Sequence, residues 1–322
     1  MSMQYSAWIP DPKPDDGGNL LDGLRQHGQK ELPAHYLYDA LGSALFEAIT
    51  MLPEYGLARA DLRLIASHAA EIREYGRPSL VVELGSGGGG KAKGILDVLA
   101  HQHPIRYCPV DVSPEALRQC RLAFLDMPRI EVRPVAAPYR EGLRSALQWR
   151  GERESALVLF LGSSIGNFAP HEAAEFLLRI REQLNRGDLL LFSADLEKDE
   201  ARMIAAYDDA LGVTAAFNLN VLVRLNREMS ATFDIALFEH VVRYDAEFHR
   251  IEMHLRSRVD QVVPIGDRTL LTLRKGETIL SERSYKFKLP DIRRLCEIAG
   301  FHLETQWIDW EWPLAQTLLR VV

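Results

Sequence analysis

The stretch Val81-Val82-Glu83-Leu84-Gly85-Ser86-Gly87-Gly88-Gly89-Gly90 constrains the fold more than any other part of this chain. An apolar run opens into a turn in which every residue but Ser86 is glycine, and a helical pattern, Lys91–His101, follows at once. Glycines at such a turn let the backbone approach a ligand closely, and the helix start aims unpaired amides at it. The spacing Gly85-x-Gly87-x-x-Gly90 also satisfies the dinucleotide-binding pattern, so a bound cofactor is expected.

The rhythm around that turn supports the same architecture. Strands are predicted at Ser79–Leu84, Ile105–Val110, Ile130–Val135, Ala156–Leu161 and Asp188–Ala194. Helices are predicted at Lys91–His101, Pro114–Leu125 and His171–Leu184, the second with Ser113 as N-cap and Pro114 in its first turn. Short apolar runs alternating with helices specify a doubly wound, Rossmann-like parallel sheet. Beyond Asp195 the alternation stops. Helical patterns at Ala201–Leu211 and Thr214–Met229 precede strand-like stretches at Glu239–Tyr244, His249–Arg258 and Thr278–Phe287. A helix over Asp291–Ala299 and two strands, His302–Ile308 and Gln316–Val321, then resume the first pattern. The chain therefore reads as a flexible tail over 1–18, N-terminal helices over 19–60, a sheet domain over 61–197 and 288–322, and an insertion over 198–287. The N-terminal helices are expected to pack with that insertion.

Composition narrows the chemistry by exclusion. Forty-five acidic residues against 38 basic ones give a formal charge of −7, the reverse of a nucleic-acid footprint. The first residues lack the charged start and apolar core of a signal peptide, and the apolar runs fall short of the ~20 residues that span a bilayer. Three scattered cysteines, Cys108, Cys120 and Cys296, argue against a disulfide framework or thiolate zinc site and for a reducing cytoplasm. His101 and His103 are the closest histidine pair, in a polar segment, and no metal is expected.

Two features lean away from a nicotinamide cofactor: Glu83 two residues ahead of the first glycine, and the absence of a Tyr-x-x-x-Lys pair. Glu83-Leu84-Gly85-Ser86-Gly87 resembles motif I of the class I S-adenosyl-L-methionine-dependent methyltransferases. That resemblance implies an acid after the second strand to hold ribose hydroxyls, and Asp111 stands there. It also implies a terminal antiparallel hairpin, which His302–Val321 can supply. After strand four comes Leu161-Gly162-Ser163-Ser164-Ile165-Gly166-Asn167-Phe168-Ala169-Pro170, in the position where open sheets bind ligands. Asn167 offers both an amide donor and a carbonyl acceptor, which suits an amine substrate. The Asn-Pro-Pro-Tyr of base methyltransferases is not matched here. Ser163 and Ser164 are not needed as nucleophiles, because methyl transfer from a sulfonium is direct.

Longer strings carry a narrower resemblance. Tyr38-Asp39-x3-Ser43-x-Leu45-Phe46, Leu52-Pro53-Glu54-Tyr55, Leu161–Asn167, Ala206-Tyr207-Asp208-Asp209, Gly212–Asn218, Asn226-Arg227-Glu228, Arg250–Met253 and Ser281–Phe287 resemble the histidine-specific Nα-methyltransferases of ergothioneine biosynthesis. Members of that family convert histidine to its trimethylammonium betaine, hercynine. The resemblance implies a class I methyltransferase sheet with an inserted α+β substrate-recognition domain, S-adenosyl-L-methionine as cofactor, S-adenosyl-L-homocysteine as product, and a small-molecule substrate handled by a monomer. It assigns Asn167, Tyr55 and Tyr207 to the amino-acid carboxylate and α-amine, and Glu282 and Ser284 to the imidazole. Tyr38 and Met253 would complete that pocket. Glu83, Gly85, Ser86, Gly87, Lys91, Asp111, Pro138 and Tyr139 would hold the cofactor, Lys91 near its carboxylate. Strand alternation independently sets Glu282, Ser284 and Lys286 on one face. One departure stands out: where the family carries an acid that meets the adenine amino group, this chain reads Ala136-Ala137-Pro138-Tyr139. The proton acceptor in this reading is Tyr55 or water. Methylation of a tryptophan-like amino acid is the near alternative, and a nucleotide-binding oxidoreductase the distant one.

Overall fold

Strand β1 (Leu80–Leu84), whose residues are all buried, runs up the middle of a twisted sheet and delivers the glycine turn to its upper edge. The computed structural model describes residues 18–322 apart from His27 and Arg268. The other main strands of this sheet are β2 (Ile105–Asp111), β3 (Ile130–Val132), β4 (Ala156–Phe160), β5 (Leu189–Asp195), β6 (His302–Asp309) and β7 (Leu314–Arg320). Their order is β6-β7-β5-β4-β1-β2-β3, with β7 antiparallel to β5 and β6 antiparallel to β7. The five strands β1 to β5 pair in parallel. Because the chain passes from β1 outward to β2 and β3 and then crosses to β4, the sheet reverses beside β1, and the crevice above that reversal is where such sheets bind ligands. β4 and β5 are buried from end to end, as strands covered on both faces must be.

The helices start where side chains satisfy their free amides. Ser113 accepts from the Ala116 N–H at 3.2 Å ahead of the helix Pro114–Ala123. The helix Leu57–Tyr75 runs across the expected boundary between residues 60 and 61. The expected tail over 1–18 lies outside the described residues except at Gly18, which opens a helix to Arg25. The expected third strand over Ile130–Val135 is broken at Arg133-Pro134 into β3 and the two-residue strand Val135–Ala136, which pairs with the end of β2. Proline there has no N–H to continue the ladder. The expected helix Ala201–Leu211 is shorter, Glu200–Ala205, giving way to turns that carry Tyr207. The helix Tyr139–Leu147 and the hairpin of Gln261–Ile265 with Thr269–Leu273 escaped the sequence reading.

A second, four-stranded sheet rises from the same edge. Its order is Lys30–Glu31, Thr278–Tyr285, Arg250–Ser257 and Phe238–Asp245, so the N-terminal segment is stitched to it by a short parallel pairing. The register of Thr278–Tyr285 shifts between Leu280 and Glu282, leaving Ser281 as the extra residue of a bulge. Ile279 faces Leu255, yet Glu282, three residues on, faces Met253, and Ser284 faces Ile251. The bulge therefore moves Glu282 and Ser284 onto the face that Ile279 begins, against the helix Val213–Met229.

Both ends of this excursion are pinned together at the main sheet. The Phe287 N–H donates to the Asp195 carbonyl at 2.9 Å, and the Glu197 N–H to the Phe287 carbonyl at 3.0 Å. Gly166 packs so close that an added Cβ would sit 2.8 Å from the Tyr285 carbonyl oxygen. Gly166→Ala should therefore cost about 1–3 kcal/mol in urea denaturation, because backbone on both sides must give. Gly90→Ala, where nothing lies within 4 Å of the new methyl, should stay within about 0.5 kcal/mol. Equal losses at the two sites would remove the close approach as the cause.

Candidate active site

Gly85, Gly87 and Gly89 have φ of 71°, 51° and 75°, a left-handed path that L side chains rarely follow. Asp111, at the tip of β2, holds this turn: its carboxylate accepts from the Gly87 and Ser113 amides, both at 2.9 Å. Two accepted bonds leave the carboxylate with free lone pairs toward the crevice. Removal from water pushes the Asp111 pKa up, against the pull of those amides. Ser86 is buried within the turn, and its N–H donates to the Val110 carbonyl at 3.2 Å.

Beneath the turn lies Glu83, almost wholly buried. One oxygen accepts from the Tyr107 hydroxyl, while Oε1 has no partner among the described residues. Burial raises its pKa from 4.5 to about 7, a rise that Tyr107 and the Lys91 charge only partly offset. Burial raises Asp61, Glu83 and Asp111 alike, and the Lys91 charge offsets part of the rise at each. Its ammonium lies 3.2 Å from where a Cβ on Gly162 would stand, so Gly162 leaves the room it occupies. Asp61 ties this corner to the N-terminal helices, accepting from the Gly162 amide at 2.6 Å, Gln316 Nε2 at 2.8 Å and the Ser193 hydroxyl.

Pro138 leads into the helix Tyr139–Leu147, and the Tyr139 hydroxyl lies 3.3 Å from the position a Cβ would take on Gly85. Where the resemblance expects an acid, the Ala137 N–H is committed to the Asp111 carbonyl at 3.1 Å. An adenine amino group donates, so only an acceptor could stand in for the missing carboxylate, and the Pro138 carbonyl already accepts from the Gly142 N–H at 2.8 Å.

The chain leaves β4 through Gly162 and Ser163, both left-handed, φ 76° and 57°. The Ser163 hydroxyl accepts from the Asp195 N–H at 2.8 Å, which fixes that strained turn. Asn167 ends the following 3-10 turn and is exposed. It lines a cleft of about 580 Å³ shared with Ala34, Arg250 and Glu282.

Glu282 and Ser284 are buried on the inner face of the second sheet, with Met253 directly across the strand pair from Glu282. Burial raises the Glu282 pKa from 4.5 to about 7, partly offset by Lys286 and a hydrogen bond from Tyr38. The Tyr207 hydroxyl donates to Ser284 Oγ at 2.7 Å, and Lys286 Nζ donates to both oxygens at 2.9 Å. Lys286 also pairs with Asp195 at 2.9 Å, and Asp195 with Lys198 at 2.6 Å and Trp312 Nε1 at 3.0 Å. Burial alone would raise the Asp195 pKa; the two lysines outweigh it and hold the carboxyl low.

Aromatic rings close the site. Tyr38 meets Phe46 and Phe217 edge-on at 5.6 and 5.5 Å, and Tyr55 meets Phe46 and Tyr207 edge-on at 6.2 Å each. Burial raises the pKa of Tyr38 and Tyr55 well above 10 and that of Tyr207 less, because Lys286 opposes it. Tyr55 is thus a proton donor at neutral pH and not the base that the sequence reading allowed.

The structure gathers the expected residues into two adjoining groups, one around the glycine turn and one around Glu282. Sequence reasoning missed Phe46, Phe217, Asp61, Tyr107, Asp195 and the role of Lys286. The phenylalanines carried no signal beyond ordinary core residues. Lys286 had one, since it shares the Glu282 face. Among the described residues no three His, Cys, Asp or Glu side chains stand ready to hold a metal ion. No helix among them is long and apolar enough to cross a membrane.

The strand order, the left-handed glycine turn after β1 and the acid after β2 define a class I S-adenosyl-L-methionine-dependent methyltransferase. Residues 16–321 match the family described as histidine-specific methyltransferase, SAM-dependent, and the chain belongs to it. It is 41% identical over 283 residues to a histidine N-alpha-methyltransferase of Mycolicibacterium smegmatis, covering 87% of each chain. It is 39% identical to the enzyme of the same name from Mycobacterium tuberculosis, over 92% of this chain and 93% of that one. Ergothioneine biosynthesis protein 1 of Neurospora crassa is 30% identical over 87% of this chain, which spans 32% of that longer protein.

The cofactor's amino-acid end fits the unmet groups at the turn. The orphaned Glu83 oxygen can accept from an ammonium, and the Lys91 ammonium, which donates no hydrogen bond among the described residues, can meet a carboxylate.

Glu282 yields a test through stability. Folded, it keeps its proton up to about 7, whereas unfolded it releases it near 4.5, so its contribution is full below 4.5 and fades as pH rises through 7. Glu282→Gln should therefore gain on the native protein between pH 5 and pH 8, by about 1–3 kcal/mol in urea denaturation at pH 8. A difference that does not change with pH would show that Glu282 titrates as an exposed carboxyl does.

Proposed function

We propose that this chain transfers three methyl groups in turn to the α-amino nitrogen of histidine, giving hercynine on the route to ergothioneine. The observation that carries the substrate reading is the buried pair Glu282 and Ser284, a carboxylate and a hydroxyl on one strand face, spaced to meet both nitrogens of an imidazole. An indole offers a single N–H and would leave one of the two unpaired, which disfavours a tryptophan-like substrate.

S-adenosyl-L-methionine supplies an electrophilic methyl on its sulfonium. Gly85, Ser86 and Gly87 give its backbone cradle, and Glu83 and Lys91 take its amino-acid end. Asp111 takes the ribose hydroxyls, and Pro138 with Tyr139 flanks the adenine. The missing acid at Ala137-Pro138 costs one hydrogen bond there, about 1 kcal/mol of affinity.

Asn167, Tyr55 and Tyr207 hold the substrate carboxylate and point the amine lone pair along the line of attack. Tyr38 and Met253 wall the ring. Residues 19–60 and 198–287 act together as the lobe that reads the substrate, above a cofactor lobe of 61–197 and 288–322. Positioning and exclusion of water supply the rate, since Tyr55 and Tyr207 are buried and hold their protons. The α-ammonium of histidine sheds one proton before the first transfer and one after each of the first two, and all three leave through water in the cleft at Asn167. The protein acts as a monomer in the cytoplasm on a small molecule in this reading.

Incubating the protein with S-adenosyl-L-methionine and each of the twenty amino acids should add three methyls to histidine alone, read by mass. Trimethylation of tryptophan and not histidine would overturn the substrate. Glu282→Ala should raise KM for histidine at least tenfold while S-adenosyl-L-homocysteine binding moves less than twofold. Unchanged histidine kinetics would remove Glu282 from the ring site.

A further inference from the structure

Lys286 is fully buried, and its three ammonium hydrogens all have acceptors: Asp195 Oδ2, Tyr207 Oη and Ser284 Oγ, each at 2.9 Å. An ammonium donates and never accepts, so both hydroxyl oxygens receive a hydrogen from it. Between the two hydroxyls one more hydrogen bond runs, 2.7 Å long. A phenol is the better donor and an alkyl oxygen the better acceptor, so Tyr207 donates and Ser284 accepts. Ser284 Oγ has two lone pairs, and Lys286 and Tyr207 take both. What remains is its hydrogen, which meets no acceptor among the described residues.

We propose that Lys286 is a positioning residue that makes Ser284 an obligate donor, so that the cleft takes its ring uncharged, with the bare nitrogen at Ser284 and the N–H at Glu282. The inference rests on the ring site proposed above and deepens it. An imidazolium has two N–H groups and no bare nitrogen, so it would set a hydrogen against the Ser284 hydrogen, close to the Lys286 charge. Asp195 is the anchor of the arrangement. It fixes Lys286 from the end of β5, where Lys198 and Trp312 Nε1 hold it in turn. Without the Lys286 bond, Ser284 would recover a lone pair and could turn to accept from a charged ring.

The ionisable groups facing this corner are Glu282 and Lys286 on the strand, Tyr207 after the helix Glu200–Ala205, Tyr38 and Tyr55 from the N-terminal segments, and Asp195 with Lys198 beyond β5. A test must cancel their titration. Binding of histidine and of 1,2,4-triazol-3-ylalanine, whose ring stays uncharged, can be measured by calorimetry from pH 5 to 8 on protein saturated with S-adenosyl-L-homocysteine. The protein's own groups enter both constants, so the ratio of the two Kd values follows protonation of the histidine ring.

For the native protein this ratio should climb about tenfold per pH unit below the ring pKa of about 6.5. Lys286→Met removes the bond to Ser284 while Asp195 keeps Lys198 as its charge partner. In that variant the ratio should stay within about twofold across the range. A flat ratio in the native protein, or an equally steep climb in the variant, would overturn the donor assignment alone. Should Glu282→Ala and Ser284→Ala both bind histidine as the native protein does, the ring site falls and the inference falls with it.

Discussion

The ion pair between Asp195 and Lys286 joins the two halves of this molecule at the point where the second sheet enters and leaves the first. Asp195 ends β5, and Lys286 follows the strand that carries Glu282 and Ser284. Each is buried, and neither charge would be tolerated alone. Breaking one side of such a pair costs about 3–5 kcal/mol, although replacing the whole pair by apolar side chains can be neutral. Its worth therefore lies in geometry more than in stability. It holds the recognition strand at a fixed distance from the loop after β4, and the Asp195 amide bonded to Ser163 carries the same constraint into the turn before Asn167. The loop that carries Asn167 and the strand that carries Glu282 and Ser284 are thereby brought onto one frame.

The second constraint is the bulge at Ser281. A regular strand would keep the phase set by Ile279 and turn Ser281 and Arg283 inward, with Glu282 and Ser284 to the outer face. One inserted residue reverses this while Ile279 stays in the core cluster that also holds Phe217, Val221 and Leu225 of the helix Val213–Met229. The Ser281 hydroxyl donates to the Met253 carbonyl at 3.0 Å, giving the extra residue a partner and fixing the defect in place. Glu282 and Ser284 thus share a face with a hydrophobic core, at the cost of one irregular pairing.

Much of the main sheet was legible because its signals are local. Glycine spacing after Leu84, the Ser113-Pro114 helix start and the buried runs Ala156–Phe160 and Leu189–Asp195 each depend only on near neighbours in sequence. Period-two reading also put Glu282, Ser284 and Lys286 on one face, since the bulge lies before all three. Illegible were features set by partners far away in the chain. The pairing of Lys30–Glu31 with Thr278–Tyr285 and the burial of Asp61 against Ser193 and Gln316 have no local pattern, whereas Pro134 marked the break after Val132. The raised proton affinity of Tyr55 was illegible for the same reason: burial and the charges around it set that affinity, and only folding assembles them.

Glu83 and Glu282 show how the site divides stability from binding. Both are buried carboxyls raised to about 7, one under the glycine turn and one at the ring end. A buried carboxylate without enough donors is a liability, since burial disfavours its charge and nothing in the chain fully repays it. Glu83 leaves one oxygen with no donor, and Glu282 has Tyr38 as its bonded partner and Lys286 as a nearby charge. Structural carboxylates in the same protein are treated differently: Asp39 is held low by Arg227 and the Gly42 amide, and Glu252 falls to about 2 beside His254 and Arg250. The contrast separates carboxylates paired within the fold from those left waiting. In the function proposed above, an ammonium at one end and a ring N–H at the other would complete the hydrogen bonding that Glu83 and Glu282 lack within the fold.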